Sequence, residues 1–338
     1  MGGPTRRSVG ASERRKSPRA DRPERRVSVV ANLVKEIVSV SLGSRTRDHD
    51  ASLTLFGETV RVSRRGTDGR LDAASAMIEE LDGRVDAIGL GGIDRFLVVR
   101  NQRYEILDAV RLASHARATP VVDGSGVKNT LERSIVEQLH TQGIINSGQS
   151  VLMVSAMDRF GMAETFDRLG YRLVAGDLIF ASHINYPIRT VDELEELARK
   201  LLPELTRMPF EKLYPVGGEQ IRESDPHYAS YFDEADIIAG DFHYIRRYMP
   251  DRLAQKVIIT NTTTRADMNR LEAAGVGLLV TTTPVLDGRS FGTNVIEAAL
   301  TAVTGLTQDH PDWSMMVNQA GLSGSRIRLN NTRQEFRS

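Results

Sequence analysis

The stretch VLMVSAMDRFGMAETFDRLGYRLVAGD, residues 151–177, decides how the rest of the chain is interpreted. An apolar run is followed by a short turn, a helix-like segment, a second apolar run and an acid, Asp177. This order is typical of the βαβ unit that opens a dinucleotide-binding domain. The stretch predicts either a nucleotide site or a βαβ unit of the same shape without a nucleotide, and it leaves both interpretations open.

The glycines of this stretch depart from the dinucleotide-binding pattern, in which three glycines form the turn, admit the pyrophosphate and allow close helix packing. Only Gly161 remains, because Ser155, Met157 and Phe160 stand where glycines are expected. The free N–H groups at the start of the helix still favour an anion. An acid at 177 suits ribose hydroxyls and repels a 2′-phosphate, so NAD is expected rather than NADP. The residues assigned to this cofactor are Ser155, Ala156, Met157, Gly161, Asp177 and, from a later strand end, Thr262.

Composition limits the class of protein. The 338 residues are 40% hydrophobic and 26% charged, with 44 Lys and Arg against 44 Asp and Glu. A chain without net charge has no global field that draws it to nucleic acid or membrane, and no apolar run reaches the roughly 18–20 residues that span a bilayer. Cysteine is absent, which suits a reducing compartment. We expect a cytoplasmic protein with a small-molecule substrate and no specific nucleic-acid or membrane partner, and a homodimer stays open.

Strand and helix patterns alternate along most of the chain, which predicts an α/β fold of two domains with mainly parallel sheets. We expect an N-terminal α/β substrate domain at 35–140 and a Rossmann-like nucleotide-binding domain at 141–305 with a helical insertion at 178–232. Residues 1–34 are rich in arginine and poor in large apolar side chains, which predicts a disordered basic tail. Residues 306–338 are polar and are expected to form a loosely attached tail.

A second motif, VVDGSGVKNTLE at 121–132, places Asp123 at a predicted strand end, with Lys128 five residues further on in the next helix. A lysine of lowered pKa, oriented by an aspartate, can take the proton of a hydroxyl group. Asp123 is therefore the candidate for the orienting carboxylate, with a helix N-cap as the alternative. Lys128 is the candidate base. Residues five apart do not share a helix face, so a surface lysine is the alternative there.

The VVDGSG segment resembles the shikimate/quinate 5-dehydrogenase family, in which an N-T-D-G-x-G segment carries a catalytic aspartate. Residues 235–300, from ADIIAGD to VIEAAL, follow the order of that family's C-terminal half, and the likeness covers roughly 120–300. The resemblance implies a Rossmann-like domain and an NAD(P)-dependent oxidation of a secondary alcohol of a cyclic polyhydroxy carboxylate, of the quinate or shikimate type. It also implies that the loop DGRSFGTN at 287–294 lies at the cleft between the domains.

The departures from that family concern its substrate loop and its catalytic lysine. The His-Ser-x-Ser-Pro loop is absent, and SLGSRTRD at 41–48 offers hydroxyls in a comparable place. The N-V-T-x-P segment and its lysine are also absent, and the corresponding strand offers Asp94 and Arg95. These losses favour two alternatives: a non-catalytic nucleotide- or metabolite-binding protein on the same architecture, and another enzyme, such as a transferase, that uses the turn for a different nucleotide.

Further candidates lie at later strand ends, where α/β sheets place their sites. In GDFHYIRRYMP at 240–250, His243 is an alternative base and Arg246 can clamp a carboxylate, although a structural loop with surface arginines explains the segment equally well. No spacing typical of a metal site is present, and no metal is expected. The substrate candidates are Ser41, Ser44, Arg246, Asp287, Arg289 and Asn294.

Overall fold

Two units of unequal size make up the chain. Residues from Leu33 to the C-terminus form one compact unit, and Met1–Asn32 form the other. The basic tail predicted at 1–34, and residues 214–227 of the predicted insertion, lie almost wholly outside the described residues. The computed structural model describes residues 1–3, 34–213, 228–286, 289–306, 313–322 and 324–329.

The first sheet is built mainly from parallel strands. The strands of the first part of the chain are β1 (Lys35–Ser41), β2 (His49–Leu55), β3 (Glu58–Gly66), β4 (Ala87–Gly91), β5 (Phe96–Val99), β6 (Gln102–Glu105) and β7 (Val121–Val122). The sheet order is β2-β3-β1-β4-β7, with β2 antiparallel at the edge and the others parallel. The strands β5 and β6 form a separate hairpin that turns at Arg100 and Asn101.

The second sheet is parallel except for one edge strand. Its part of the chain contains β8 (Ser150–Met153), β9 (Arg172–Ala175), β10 (Ile237–Ala239), β11 (Val257–Thr260), β12 (Leu278–Thr281), β13 (Val285–Leu286), β14 (Arg289–Ser290) and β15 (Arg326–Arg328). The sheet order is β15-β12-β11-β10-β8-β9, and β15 pairs antiparallel with β12. The parallel strands thus run 2-1-3-4-5, the flavodoxin-like order and not the 3-2-1-4-5-6 order of the Rossmann fold. In such a sheet, ligands bind at the carboxyl ends where the order reverses, here between β8 and β10.

Helices cover both sheets and connect the parallel strands. The described helices are α1 (Leu71–Leu81), α2 (Leu107–Ala113), α3 (Ser125–Thr141), α4 (Phe160–Arg168), α5 (Asp177–Ser182), α6 (Val191–Leu205), α7 (Phe210–Leu213), α8 (Ala229–Glu234), α9 (Phe242–Tyr248), α10 (Arg265–Ala273), α11 (Thr293–Thr304) and α12 (Trp313–Gln319). Thr190 caps the start of α6, because its hydroxyl accepts from the Glu193 N–H at 3.2 Å. Among the described residues, no helix combines the length and hydropathy needed to cross a membrane.

Alternating side chains of the strands explain why helices lie on both faces of each sheet. In β8, Val151 and Met153 pack with α3, α4 and α6, whereas Leu152 packs with α5, α9 and α10. In β1, Ile37 packs with α11 and α12, whereas Val40 packs with α1 and α2. The α11 helix lies between β12 and β15 of the second sheet in sequence but packs on the first sheet, so both sheets belong to one compact unit.

The α/β class with parallel sheets is confirmed, and one expectation is wrong. The segment after residue 306 is not loosely attached where it is described, because α12 buries Trp313 and Val317 and β15 extends the second sheet. Its few apolar residues, such as Trp313 and Val317, are spaced as on one face of a helix. The prediction considered only that the segment is polar on average. The domain limits at 140 and 305 stay predictions, since the residues from Leu33 onward form one compact unit.

Candidate functional site

A cleft of about 310 Å³ lies where carboxyl ends of strands from both sheets come together. The loops after β1, β4 and β7 line it from the first sheet, and the loops after β8, β9, β10 and β11 line it from the second. This is where open parallel sheets bind their ligands. Polar lining residues from the two sides include Ser41, Asp94, Asp123, Ser155, Asp177, Asp241 and Asn261.

The cleft collects many of the predicted site residues. Four predicted site residues do not line it: Ala156, Gly161, Ser44 and Arg246. Ser44 caps a short 3-10 turn instead. The Arg246 guanidinium lies 3.5 Å from Asp267. Asp287 lies outside the described residues, and only the backbone of Arg289 is described, in β14. The predicted residues that do line the cleft are Asp123, Lys128, His243, Ser155, Met157, Asp177, Thr262, Ser41 and Asn294.

Lys128 projects into this cleft from the first turn of α3, and its partners are Asp94 and Asp158. Its Nζ lies 3.3 Å from Asp94 Oδ2 and also donates to Asp158 Oδ1. Burial disfavours the charged ammonium, but the attraction of the Asp158 and Asp94 carboxylates outweighs burial and raises the pKa of Lys128. The expectation of a lysine with lowered pKa is therefore wrong, and Lys128 is a fixed cation.

The carboxylate of Asp123 accepts hydrogen bonds from the backbone of two segments. Its Oδ2 accepts from the N–H groups of Arg95 and Phe96 at 2.5 and 3.1 Å. Its Oδ1 accepts from the N–H and hydroxyl of Ser125 at 3.1 and 2.9 Å. Asp123 thereby fixes the loop that carries Asp94 against the start of α3. It acts on the start of the helix, as the N-cap alternative suggests, and it also lines the cleft.

Asp94 and Asp158 share Lys128, whose Nζ contacts both carboxyl groups. Asp94 follows β4 in the first sheet, and Asp158 follows β8 in the second. Burial and the neighbouring Asp158 charge raise the pKa of Asp94 well above its ordinary value, against the attraction of Lys128. Burial also acts to raise the pKa of Asp158, but Lys128 and Arg159 outweigh burial and lower it.

Arg159 connects this pair to the rest of the cleft wall. It is only 4% exposed, forms an ion pair with Glu132 of α3, and lies 3.6 Å from Asp241 and 3.9 Å from Asp158. Sequence reasoning did not assign roles to Asp158, Arg159 or Asp241. The available signal was an Asp-Arg pair at a strand end, in the turn where glycines are expected.

The turn after β8 is closed by the carboxylate of Asp177. Its Oδ2 accepts from the Ala156 N–H at 3.0 Å and its Oδ1 from the Met157 N–H at 2.9 Å. Burial raises the pKa of Asp177 to about 6, against these two hydrogen bonds. A pyrophosphate in the usual orientation needs such amides. The residues at this turn therefore do not fit a dinucleotide bound in that orientation.

Gly161 serves the packing of two helices. It lies inside α4, and a Cβ atom at this position would approach Asn129 Oδ1 of α3 to 1.6 Å. Only a residue without a side chain permits this approach. The last glycine of the expected fingerprint is thus required by the contact between α3 and α4.

Arginines and hydroxyl groups also line the cleft. Arg64 donates to the Ser41 hydroxyl and to Asp48, each at 2.8 Å. Arg47, in the loop after β1, donates to His243 Nε2 at 2.9 Å and so links the loop to α9. Burial, together with the charge of Arg47, lowers the pKa of His243 against the attraction of Asp241, so the imidazole is neutral and accepts this bond.

Asn294 joins α11 to the first sheet at the back of the cleft. Its amide donates to the Ser39 hydroxyl at 2.8 Å, and its backbone lies so close to Gly89 that a Cβ there would approach Asn294 O to 2.8 Å. Among the described residues, no group of three or more His, Asp or Glu side chains is arranged to hold a metal ion.

A family model described as "Domain of unknown function (DUF8754)" matches residues 126–328, which is more than half of the chain. The chain belongs to the DUF8754 family. A second model, "Domain of unknown function (DUF8753)", matches residues 36–123. The cleft of this DUF8754 protein takes residues from both matched segments, with Asp94 from the first and Lys128 and Asp158 from the second.

No curated protein matches this DUF8754 chain. Among solved structures, glutamate dehydrogenase from Thermus thermophilus is 12% identical, with 85% of this chain and 74% of that chain covered and a TM-score of 0.40. A solute binding protein of an ABC transporter from Agrobacterium vitis, bound with α-D-tagatopyranose, is 6% identical, with coverage of 89% and 97% and a TM-score of 0.35. A glucose-galactose binding protein from Geobacillus stearothermophilus is 11% identical, with coverage of 89% and 99% and a TM-score of 0.33. At such TM-scores a likeness establishes neither fold nor function.

Proposed function

We propose that this protein binds a small polyhydroxy carboxylate of the quinate or shikimate type in its cleft. The observation that carries this proposal is the combination of groups that line one cleft. Arg47, Arg64 and Ser41 line it together with Lys128, which contacts the carboxyl groups of Asp94 and Asp158. A ring with one carboxylate and several hydroxyls matches both kinds of group.

The volume of the cleft supports a single small ligand. Small-molecule sites have volumes of about 300–1,000 Å³, and 310 Å³ lies at the lower end of that range. A compact ring acid needs only such a space, whereas a whole dinucleotide needs a longer site. The closed turn after β8 points in the same direction, because Asp177 occupies the amides of Ala156 and Met157.

The residue types explain how each part of such a ligand is recognised. Guanidinium groups bind carboxylates through paired hydrogen bonds, which favours the Arg47 and Arg64 side for the acid group. Hydroxyl groups donate and accept, so they suit the mixed donors and acceptors of Lys128 and Asp94. Arg47 and Arg64 keep their hydrogen bonds to His243, Asp48 and Ser41 when the ligand is bound, and the ligand carboxylate forms additional hydrogen bonds to them.

The finer form of the proposal is an oxidoreductase that oxidises a secondary alcohol of this ligand with NAD. The carboxyl groups of Asp94 and Asp158 at the cleft favour it, since removal of a hydride from an alcohol also requires an acceptor for the hydroxyl proton. The turn that would hold NAD does not fit it, so we assign no hydride acceptor. That misfit favours the second candidate, a metabolite-binding protein without catalysis.

Thermal unfolding with added ligands tests the binding proposal. A ligand at 100 times its dissociation constant adds about 2.7 kcal/mol to the stability, so shikimate or quinate should raise the Tm measurably. Myo-inositol, an uncharged polyol, and acetate, a carboxylate without hydroxyls, serve as ligand controls. The Arg47→Gln variant should lose most of the shift, and Arg61→Gln, an exposed arginine of β3, should keep it.

The absence of any shift with either ring acid, or an equal shift in the Arg47→Gln variant, would contradict the binding proposal. Thermal unfolding with added NAD or NADP tests whether the protein binds the cofactor that the oxidoreductase proposal requires. We then follow NADH formation from shikimate and quinate by absorbance. Formation that is lost in Lys128→Met supports the enzyme, and binding of a ring acid without any turnover supports the metabolite-binding protein.

A further inference from the structure

We propose that Asp94 and Asp158 share one proton in the cleft, that Asp94 exchanges this proton with the bound ligand, and that Lys128 stays charged and positions both carboxyl groups. The shared proton is a property of the ligand-free protein. The exchange with a ligand rests on the function proposed above.

The charges around the two carboxyl groups favour one bound proton. The single ammonium of Lys128 lies 3.3 Å from Asp94 and also contacts Asp158, so the two carboxyl groups share one site. Arg159, the other cation near Asp158, is already paired with Glu132. Two carboxylates that share one ammonium repel each other, and a proton on one of them removes this repulsion.

The surrounding charges indicate which carboxyl group carries the proton. Asp158 lies next to two cations, Lys128 and Arg159. Asp94 has only Lys128, at the longer distance of 3.3 Å, and it faces the negative charges of Asp158 and Asp123. Asp158 is therefore the ionised member of the pair and Asp94 the protonated one. The direction of both pKa shifts agrees with this assignment.

The exposure of the three side chains indicates which groups meet the ligand. The Lys128 side chain is 10% exposed, whereas Asp94 is 19% and Asp158 is 26% exposed. Both carboxyl groups are thus more open to the cleft than Lys128. Asp94 is the one that carries the proton, so it is the acid that donates a proton to a ligand oxygen and accepts it back.

Carboxyl-selective NMR of the ligand-free full chain tests the shared proton. With aspartate labelled at the side-chain carboxyl carbon, an ordinary aspartate titrates near pH 3.9. We expect two signals that titrate clearly higher, one from Asp177, whose pKa is about 6, and one from Asp94. Asp177→Asn removes and so assigns the first signal, and Asp94→Asn removes the second.

Two further variants sharpen this titration. Asp158→Asn removes the neighbouring negative charge, so the Asp94 signal should move to lower pH. Asp72→Asn, at an exposed acid that pairs with Arg70, is the matched control and should leave both signals in place. If every aspartate other than Asp177 titrates at an ordinary value, or if the high signal survives Asp94→Asn, the shared proton is wrong. Asparagine keeps the size of the side chain, and the Asp158→Asn shift gives a second readout if Asp94→Asn folds poorly.

The ligand arm separates this inference from the proposed function. With shikimate added, the Asp94 signal should shift and its titration midpoint should change, while the Asp72→Asn protein behaves as wild type. If shikimate raises the Tm but leaves the Asp94 titration unchanged, the exchange role is wrong and the binding proposal stands. If neither ring acid raises the Tm, both the binding proposal and the proton exchange with the ligand are wrong. The titration of the ligand-free protein then still tests whether Asp94 and Asp158 share a proton.

Discussion

Glu297 shows how a single buried carboxyl group makes stability depend on pH. Its Oε2 accepts from the Gly126 N–H at the start of α3 at 3.0 Å, and within the described chain Oε1 has no hydrogen-bond partner. Burial, with the nearby charge of Asp123, raises the pKa of Glu297 from 4.5 to about 8. A raised pKa means that the fold favours the protonated form. Its stability contribution is therefore complete below pH 4.5 and is lost as the pH rises through about 8.

We expect Glu297→Gln to remove this pH dependence. Glutamine keeps an acceptor for the Gly126 N–H and carries no charge. At about 1.36 kcal/mol per pH unit, the variant gains up to about 5 kcal/mol over wild type above pH 8. Denaturant unfolding between pH 4.5 and pH values above 8 measures the difference. Glu196→Gln, on the exposed face of α6, should follow wild type, and a Glu297→Gln curve parallel to wild type would contradict the expectation.

Gly161→Ala tests the contact between α3 and α4. The added methyl group would meet Asn129 Oδ1 at 1.6 Å, so either the Asn129 side chain or the helices must shift. Overpacking of this kind costs about 1–3 kcal/mol of unfolding free energy. The same substitution in an Asn129→Ala background should cost less, because the nearest obstructing atom is gone. Equal costs in the two backgrounds, measured by urea unfolding, would show that the clash is not with Asn129.

Single residues also mark the limit of what the sequence predicts. The spacing between Asp123 and Lys128 correctly argues against a shared helix face, but it does not reveal that Asp94 and Asp158 are the partners of the lysine. Those two residues come from loops of different sheets. Gly161 matches a fingerprint glycine, yet its reason is a residue on another helix. In both cases tertiary contacts, which leave no local pattern, decide the role.

At the scale of elements, local periodicity predicts most of the fold. The β2–β3 hairpin, the α3 helix and the alternation of β10, β11 and β12 with helices follow from apolar repeats with periods near 2 and 3.6. Strand order does not follow from them, because it depends on which strands pair after the chain crosses the sheet. The C-terminal β15 was missed, since three alternating residues are too few to signal a strand.

The α12 helix provides the test at this scale. Trp313 is 4% exposed and packs against the first-sheet cluster, so Trp313→Ala should lower the unfolding free energy by about 3–5 kcal/mol. Met315, on the same helix, is 46% exposed, and Met315→Ala should change it by less than about 0.5 kcal/mol. Chemical denaturation of both variants compares them directly. Equal, small losses would restore the expectation of a loosely attached segment.

At the scale of the whole molecule, Arg100 ties the β5–β6 hairpin to helices of the second sheet. Its guanidinium lies 3.0 Å from Glu164 of α4 and 2.9 Å from Asp192 of α6, and it also contacts Glu195. The side chain is 39% exposed, so solvent screens much of this attraction. Three acids around one arginine nevertheless form a network, which contributes more than an isolated surface pair.

We expect Arg100→Gln to lower the unfolding free energy by about 1 kcal/mol at low salt and by less at high salt, because salt screens exposed charges. Urea unfolding at the two salt concentrations measures this. Lys200→Gln removes an exposed pair within α6, between side chains that are 67% and 60% exposed, and should change stability by less than about 0.5 kcal/mol. A loss independent of salt would indicate that packing on Phe160, and not charge, explains the effect of Arg100.

The carboxylate that closes the turn after β8 makes position 177 a marker for sorting relatives of this chain. Where a relative has a small uncharged residue there, we expect the amides equivalent to Ala156 and Met157 to be open to a phosphate group. Where the acid is retained, the chain supplies its own anion and competes with any external one. The residue at position 177 would then distinguish members of the DUF8754 family whose turn can bind a phosphate group from members whose own carboxylate occupies that turn.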